Sequence, residues 1–583
     1  MLHGAHRLHR GSANLTRLIP SRWTTWSRRS YANNAANEPS IAVLGGGITG
    51  LATAYYITQR LPRAKVTLFE GSDRIGGWLL SNRVPVSGGS VLFEAGPRSL
   101  RTAGNGILAA RLIDELELKD DTIFTPTTSP AASHRYLYYP DHLVCMPHPR
   151  LGLIDGLTTI LKEPLFKGVL GGLVKEPFQK VRDEKLYDES VGDFLARRFG
   201  RPVVDNIVSA ILHGIYAGDV YSLSARSLFP RLWRGEVEHD GLLASAVLAN
   251  QSGVEMSTRD VTFFQEARKV KDTDLMETLR TTSVFTFRDG IGMLVDRLAR
   301  KLWANGSTDM KTATRVDSLR LTEDGQGVDV SIRGESGTQR FSHVISALSP
   351  AHLNNLIETK TSRIPDIPAV TVMTVNLFFR HREMIPPGPG ADSLGFGYLI
   401  PRATPFENNP ERALGVVFDH AYSLPKISSH DTSQQATIAQ DDLAQEGTKV
   451  TVMLGGHWWN DWPSYPDEQE GLQMARAVLE RHLNITQEPE AYQVNLQQDC
   501  IPQYTVGHED RLKSAHARLS QAYKGRVRVA GSWVGGVGVN DCLRSAWDVV
   551  HGLELGIDGT GLEHIGAERF VKVKVQARTS EDK

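Results

Sequence analysis

Short apolar runs, each broken by glycine or by polar residues, organise both ends of this chain. Ile41-Ala42-Val43-Leu44 reads as a buried strand, because a strand covered on both faces shows a continuous apolar run. Leu51 to Ile57 has helical composition, and Lys65-Val66-Thr67-Leu68-Phe69 reads as a second strand. Near the other end, Arg526-Val527-Arg528-Val529-Ala530-Gly531 reads as a strand, followed by a helix through Cys542 and Trp547. Similar pieces recur between them, at Phe285 to Leu294, around Val316 and at His343-Val344-Ile345-Ser346-Ala347, so the α/β unit is discontinuous. Stretch 151–178 differs. Its apolar residues recur at spacings of three and four, interrupted at Pro164 and Gly171-Gly172, with Lys162, Lys167 and Lys175 interspersed. That pattern fits an amphipathic helix, either paired in a core or lying in a membrane interface. No run of about 18 apolar residues occurs, so no transmembrane helix is expected. Segments 235–282 and 428–448 are polar and uneven and read as loops or insertions; 572–583 reads as a frayed end.

Charge changes the picture at one end. Residues 1–37 hold six arginines (Arg7, Arg10, Arg17, Arg22, Arg28, Arg29) and no acid, with Leu2, Leu8, Leu15, Leu18 and Ile19 spread among them. This is the pattern of a mitochondrial transit peptide; a disordered basic tail is the alternative. The whole chain of 583 residues has a formal net charge of −1, so loss of those six charges leaves a body at −7. Nothing there favours nucleic acid as a partner. Cys145, Cys500 and Cys542 are widely spaced, which excludes a disulfide framework and a cysteine metal site. The 53 glycines suggest many tight turns or close approaches to a ligand.

Some of those glycines carry chemistry. Gly45-Gly46-Gly47-Ile48-Thr49-Gly50 follows the first strand and opens the first helix. Gly45 permits the turn, Gly47 lets the backbone approach a pyrophosphate, and Gly50 allows close helix–strand packing. The helix N-terminus, with the amides of Ile48 and Thr49, offers donors and partial positive charge to phosphates. Glu70, twenty residues after Gly50, is placed to grip an unphosphorylated ribose. Then comes Glu70-Gly71-Ser72-Asp73-Arg74-Ile75-Gly76-Gly77-Trp78, in which Arg74 brings positive charge to a diphosphate and Gly76-Gly77 a bare backbone. A second glycine-rich strand-to-helix turn, Ser532 to Val539 with Val537 and Gly538, is a further cradle.

The Glu-x-x-x-Arg-x-Gly-Gly spacing and the turn Phe93-Glu94-Ala95-Gly96-Pro97-Arg98 resemble the flavin motifs of the amine-oxidase and phytoene-desaturase superfamily. More particular are Ile501-Pro502-Gln503-Tyr504-Thr505-Val506-Gly507-His508 and Val539-Asn540-Asp541-Cys542, with a weaker match at Gly395 to Pro401. On these segments the chain is identified as a member of the mitochondrial, oxygen-dependent protoporphyrinogen oxidase family. The resemblance implies one non-covalent FAD, held by the residues above together with Ser99, Val316 and Ser532. It implies three two-electron oxidations of protoporphyrinogen IX to protoporphyrin IX, with O2 reduced to hydrogen peroxide, at the penultimate step of haem synthesis. No catalytic side chain and no metal is expected, since the flavin takes the hydride and the protein positions.

For the substrate, the resemblance points to Arg135 for a propionate, to Leu399, Val417 and Met453 against the macrocycle, and to a Gly214 carbonyl near the pyrrole N–H groups. Taken alone, Arg135 reads as a surface arginine and the apolar three as core. The implied architecture has three units: a Rossmann-like FAD-binding domain of the p-hydroxybenzoate-hydroxylase-like kind (40–122, 283–362, 495–560), a mixed-sheet substrate domain (123–131, 243–282, 363–494) and a helical membrane-binding domain (132–242), with a tail at 561–583. The implied place is the inner-membrane lipid surface, peripheral and facing the intermembrane space. A homodimer and contact with the porphyrin-metallating enzyme of the next step are compatible with it. Two rivals are weighed: an amine oxidase on the same fold, whose covalent members attach FAD to a cysteine, and a non-catalytic flavin-binding scaffold. Cys500, however, sits directly before Ile501-Pro502-Gln503-Tyr504 without the Cys-x-Thr attachment pattern.

Overall fold

The computed structural model describes residues 38–148, 153–183, 185–252, 254–267, 270–381, 384–385, 395–423, 439–442, 447–567 and 569–573. The leader at 1–37, most of 428–448 and everything after 573 lie outside the described residues.

Buried apolar strands build the nucleotide sheet. Ser40–Leu44 lies at its centre between Lys65–Phe69 and His343–Ser346, with Thr308–Lys311 and Val527–Val529 outermost and every pair parallel. Numbered along the chain, the order is 3-2-1-4-5. The sheet reverses its direction of growth at its first strand, where parallel sheets leave a crevice beyond the strand C-termini. Alternation sends side chains to opposite faces. Ile41 and Val43 enter a core with Leu51, Leu298 and Trp547, from helices Ile48–Arg60, Gly292–Trp303 and Val539–Glu554. Ala42 and Leu44 enter another core, with Leu319 of the antiparallel Val316–Leu321 strand and Leu512 of helix His508–Tyr523.

The substrate sheet has seven strands in the order Ala491–Pro502, Ala369–Phe379, Thr448–Gly455, Ala413–Phe418, Gly397–Leu399, Tyr136–Tyr138 and Leu143–Cys145. Only the pair Gly397–Leu399 with Tyr136–Tyr138 is parallel. Residues 136–145 and 495–502 therefore pair into this sheet, although the sequence grouped them with the helical and FAD domains.

Segment 235–282 is not an excursion. It forms helices Pro230–Glu238, Leu242–Ser252, Thr258–Ala267 and Thr273–Thr281 and strand Val254–Ser257. Phe263, Ala267, Leu275 and Leu279 pack into the nucleotide-domain core, and the Phe263 ring meets Trp547 at 5.1 Å. Each helix there turns few apolar residues inward, and so its periodicity is too brief to register in a long window. The described residues before 573 also pack onto the body. Leu562 is buried, and Phe570–Val573 pairs antiparallel with Val254–Ser257.

The helical unit surrounds a small core of Val191, Phe194, Leu212, Leu223, Trp233 and Leu242. Beneath it lies a buried ionic cluster. Glu236 takes Arg182 at 2.9 Å and Arg197 at 2.5 Å, while Arg198 pairs with Glu176.

Candidate functional site

Parallel strands deliver the two glycine-rich turns to one edge of the sheet. In the first, Gly45 N donates to Phe69 O at 2.8 Å and Gly76 N donates to Gly46 O at 2.8 Å, so the Glu70–Trp78 motif folds back on the opening turn. Glu70 accepts from Gly46 N at 2.7 Å and from Ser72 N and Oγ, each at 2.8 Å, which fixes its carboxylate at the strand end. Gly71 packs against Arg315, and Thr314 N donates to Glu70 O at 2.8 Å, which brings Val316 to this end of the site. Arg74 Nη2 donates to Gly77 O at 2.6 Å and folds around its own turn.

Two observations show that these turns fit a flavin dinucleotide. A methyl group on Gly77 would lie 3.2 Å from Gly47 Cα, so two bare backbones face each other and leave a channel clear of side chains. Gly47 caps helix Ile48–Arg60 with no side-chain hydrogen bond and no acid in the first turn, which leaves that N-terminus to an anion. The last helix docks on the same place through the Val-Asn-Asp-Cys segment. Asn540 Nδ2 donates to Arg101 O at 2.9 Å, and Asp541 accepts from Asn105 Nδ2 at 2.8 Å and from Gly538 N at 3.2 Å. The Cys542 thiol, hydrogen-bonded to Thr49, is pushed up to about 11 by burial. In this way the last motif closes on the first.

The third turn joins cofactor and substrate units. A Cβ on Gly96 would lie 2.5 Å from Trp78 O. Ala95 O accepts from Thr374 Oγ1 at 2.8 Å and from Gln497 Nε2 at 2.5 Å, and Glu94 O accepts from Asn376 Nδ2 at 3.1 Å. Burial pushes the Glu94 carboxyl up to about 8, although Ser81, the Ile291 N–H, Arg98 and Lys449 all favour its charge. Pro97 and Ser99 are half-buried around the turn. Arg98, expected at the flavin, pairs its buried guanidinium with Asp419 at 3.2 Å. Asp419 also accepts from Thr451 Oγ1 at 2.8 Å and from Tyr422 Oη.

Register places the substrate candidates together. Leu399 pairs with Gly415 and Gly415 with Met453, while Val417 sits opposite Gly397, two residues along the same ladder. Leu399, Val417 and Met453 therefore share one face of the sheet, and so do Thr374 and Asn376, which hold the third turn. Leu137 pairs with Leu399, so Arg135 continues that alternation. The Arg135 guanidinium lies 5.6 Å from the Phe396 ring. Surrounding protein and the neighbouring Arg101 lower its pKa, and among the described residues no acid pairs with it. Gly214, in helix Ser209–Tyr216, abuts this face: a Cβ there would lie 2.8 Å from Leu399 Cδ1.

Cys500 does not suit a covalent flavin. Its thiol donates to Val370 O at 3.5 Å and burial pushes it up to about 12, which keeps it protonated. A cavity of about 460 Å³ lined by Tyr56, Arg60, Glu115, Glu266 and Trp547 opens at the C-terminal end of helix Ile48–Arg60, the opposite end from the glycine turn. Sequence reasoning did not find Thr374, Asn376, Asp419 or Gln497. Their partners lie hundreds of residues away, and no local spacing announces such pairings.

Comparison with known proteins agrees with this geometry. Residues 48–551 match the family of flavin-containing amine oxidoreductases. A protoporphyrinogen oxidase of Schizosaccharomyces pombe is 33% identical over 516 residues, 86% of this chain and 96% of that protein. The protoporphyrinogen oxidase of Homo sapiens is 30% identical, over 87% of this chain and 96% of its own. A crystal structure from Exiguobacterium sp. 255-15, provisionally named protoporphyrinogen oxidase, shares the fold with a TM-score of 0.63 at 20% identity, covering 89% of this chain and 99% of that one.

Proposed function

The chain belongs to the flavin-containing amine oxidoreductase family, and from that premise we propose that it oxidises protoporphyrinogen IX to protoporphyrin IX with FAD, in three two-electron steps with O2 as acceptor. The observation that carries the reading is the single sheet face on which Leu399, Val417, Met453 and Arg135, without an acidic partner among the described residues, stand beside the turn at 94–98. Relatives named for this activity, 30 to 33% identical over most of the chain, support it.

Bound FAD supplies a hydride acceptor that O2 can reoxidise. The chain supplies position. The apolar face accepts one flat side of a macrocycle and excludes water from it. Arg135 offers a planar fork to a propionate, and its partial desolvation strengthens that pairing. Gly214 brings backbone rather than side chain to Leu399, which leaves a main-chain carbonyl as the acceptor for a pyrrole N–H. No side chain is asked to move a proton.

Anaerobic mixing of the purified flavoprotein with protoporphyrinogen tests the reading, and bleaching of the oxidised flavin band is the expected result. A flavin that stays yellow under those conditions refutes it. Arg135→Ala is expected to raise KM about ten- to a hundred-fold, the worth of a charge-assisted hydrogen bond, with bound flavin unchanged.

We further propose peripheral attachment to the mitochondrial inner membrane. The arginine-rich leader supports the address. Exposed Leu157, Leu161, Val174 and Phe178, with Ile211 and Ile215 on the outer side of the Gly214 helix, support a lipid-facing surface. No helix among the described residues is long and apolar enough to cross a bilayer.

A further inference from the structure

The Ile501–His508 motif singled out by its residue order plays no part in the binding and chemistry derived above, yet its side chains reach both halves of the site. Gln503 and Tyr504 are consecutive and almost fully buried, at 6% and 3% exposure. Gln503 Nε2 donates to Tyr216 O at 2.8 Å and to Ile501 O at 3.1 Å. Tyr216 is the last residue of the helix that carries Gly214, and its carbonyl is one that a helix end leaves without an internal donor. A Cβ on Gly218, just past that helix end, would lie 2.2 Å from Gln503 Oε1, so the amide is pressed against the backbone it holds.

Tyr504 serves the cofactor side. Its Oη donates to Ser532 O at 2.5 Å and accepts from Gly536 N at 2.7 Å. One hydroxyl thus ties both ends of the short helix Ser532–Gly535 that leads into Val537 and Gly538. The ring lies 4.0 Å from His508 at an interplanar angle of 10°, and 5.8 Å from the Tyr216 ring. The main chain adds its own ties to the helical unit: Ser224 N donates to Tyr504 O at 2.7 Å and Val506 N to Ser222 O at 3.1 Å.

We propose that Gln503 and Tyr504 are a positioning clamp, two consecutive side chains that hold the macrocycle-facing helix and the C-terminal cofactor turn at one fixed separation. Neither touches the reacting atoms. Their effect is on alignment, to which a transfer between two bound partners is sensitive at the scale of an ångström. The Gln503 half rests on the porphyrinogen reading; the Tyr504 half rests only on the flavin site.

The experiment uses the full-chain holoenzyme and separates the halves. Tyr504→Phe keeps the ring and removes the hydroxyl. The expected result is an FAD dissociation constant raised about ten-fold or more, with an altered visible flavin band, read by reconstitution of apoprotein with FAD. A lowered melting temperature with wild-type FAD affinity and spectrum overturns this half. Gln503→Met keeps the volume and removes the donor. FAD affinity is expected to hold while the rate of flavin bleaching at saturating protoporphyrinogen falls about ten-fold, with KM within about two-fold of wild type. An unchanged bleaching rate overturns the clamp. If Tyr504→Phe does not fold, Gln503→Met decides alone. If protoporphyrinogen fails to bleach the wild-type flavin, it is the substrate reading that falls, and Tyr504→Phe with FAD still decides the cofactor half.

Discussion

A single methyl group tests the cofactor turn most sharply. A Cβ on Gly50 would lie 1.8 Å from Gly45 O, a contact that no rotamer relieves because both groups are backbone. Gly50→Ala must open the turn proposed to face the pyrophosphate, so the variant is expected to purify colourless, with FAD absorbance lost. Retention of a stoichiometric flavin would show that the turn tolerates more than its geometry allows. Gly171 is the contrast. It lies inside helix Val169–Lys175, and a Cβ there meets nothing within 4 Å. Gly171→Ala is expected to raise stability by about 0.5–1 kcal/mol, the helix-propensity difference, as read by urea unfolding. Residue identity alone does not separate these two glycines; what each faces does. Arg98 makes the same point. The motif around it is legible as a flavin turn, but the buried pair with Asp419, 321 residues away, is not, because nothing in local spacing encodes a partner on another sheet.

Among the elements, the helical unit depends on charge as much as on its apolar core. The Glu236 side chain is fully buried. Burial pushes its pKa up, but hydrogen bonds and charge from Arg197 and Arg182 outweigh this and hold it below the usual 4.5. A carboxylate depressed on folding stabilises above its unfolded pKa, and that contribution is lost as pH falls through the depressed value. Glu236→Gln is therefore expected to lose most against wild type near neutral pH, with the gap closing below about pH 4. Glu236→Ala is expected to cost about 3–5 kcal/mol, since it leaves buried guanidinium groups unmatched. Urea unfolding of both variants across pH checks the sign; a gap that widens in acid would contradict it. These elements also show how far the sequence is legible. Ser40–Leu44 and Lys65–Phe69 stand out because a parallel strand buried on both faces is written as an unbroken apolar run beside glycine punctuation. Thr258–Ala267 and Thr273–Thr281 do not, since each contributes only two buried residues to a core made elsewhere, and their polar faces dominate the window. Phe570–Val573 pairs with a strand over 300 residues away and sets the Phe570 ring under Arg234, and neither partner is legible in its own composition, which reads as part of a tail. The shared face of Leu399, Val417 and Met453 was not legible in composition, because only register puts the three together; the proposed substrate role came through resemblance.

For the whole molecule, the question is how a site woven from both ends of the chain meets a poorly soluble substrate. Within the helical unit, exposed apolar residues lie in the same helix as Gly214 and around the 151–178 stretch. That stretch is mixed. Leu165 and Phe166 are buried and belong to the core with Leu137 and Ala210, whereas Leu161 and Phe178 are 67% and 86% exposed. A charge at Phe166 would therefore unfold the unit and report on stability, whereas charges at Leu161 and Phe178 report on the surface alone. Removing two exposed side chains of this size from a lipid interface forgoes roughly 1.5–3 kcal/mol each. Leu161→Asp with Phe178→Asp is thus expected to weaken partitioning onto phospholipid vesicles by at least about a hundred-fold in flotation assays, with bound flavin and melting temperature retained. An apolar origin of the proposed attachment would set the salt dependence. Binding by Lys162, Lys167 and Lys175 would weaken steeply with ionic strength, because exposed charges are screened within about 10 Å at 0.1 M salt. Burial of Leu161 and Phe178 would persist. Vesicle binding that survives the double substitution, or that is abolished by salt in the wild type, would move the attachment from this apolar face to the lysines of the same stretch.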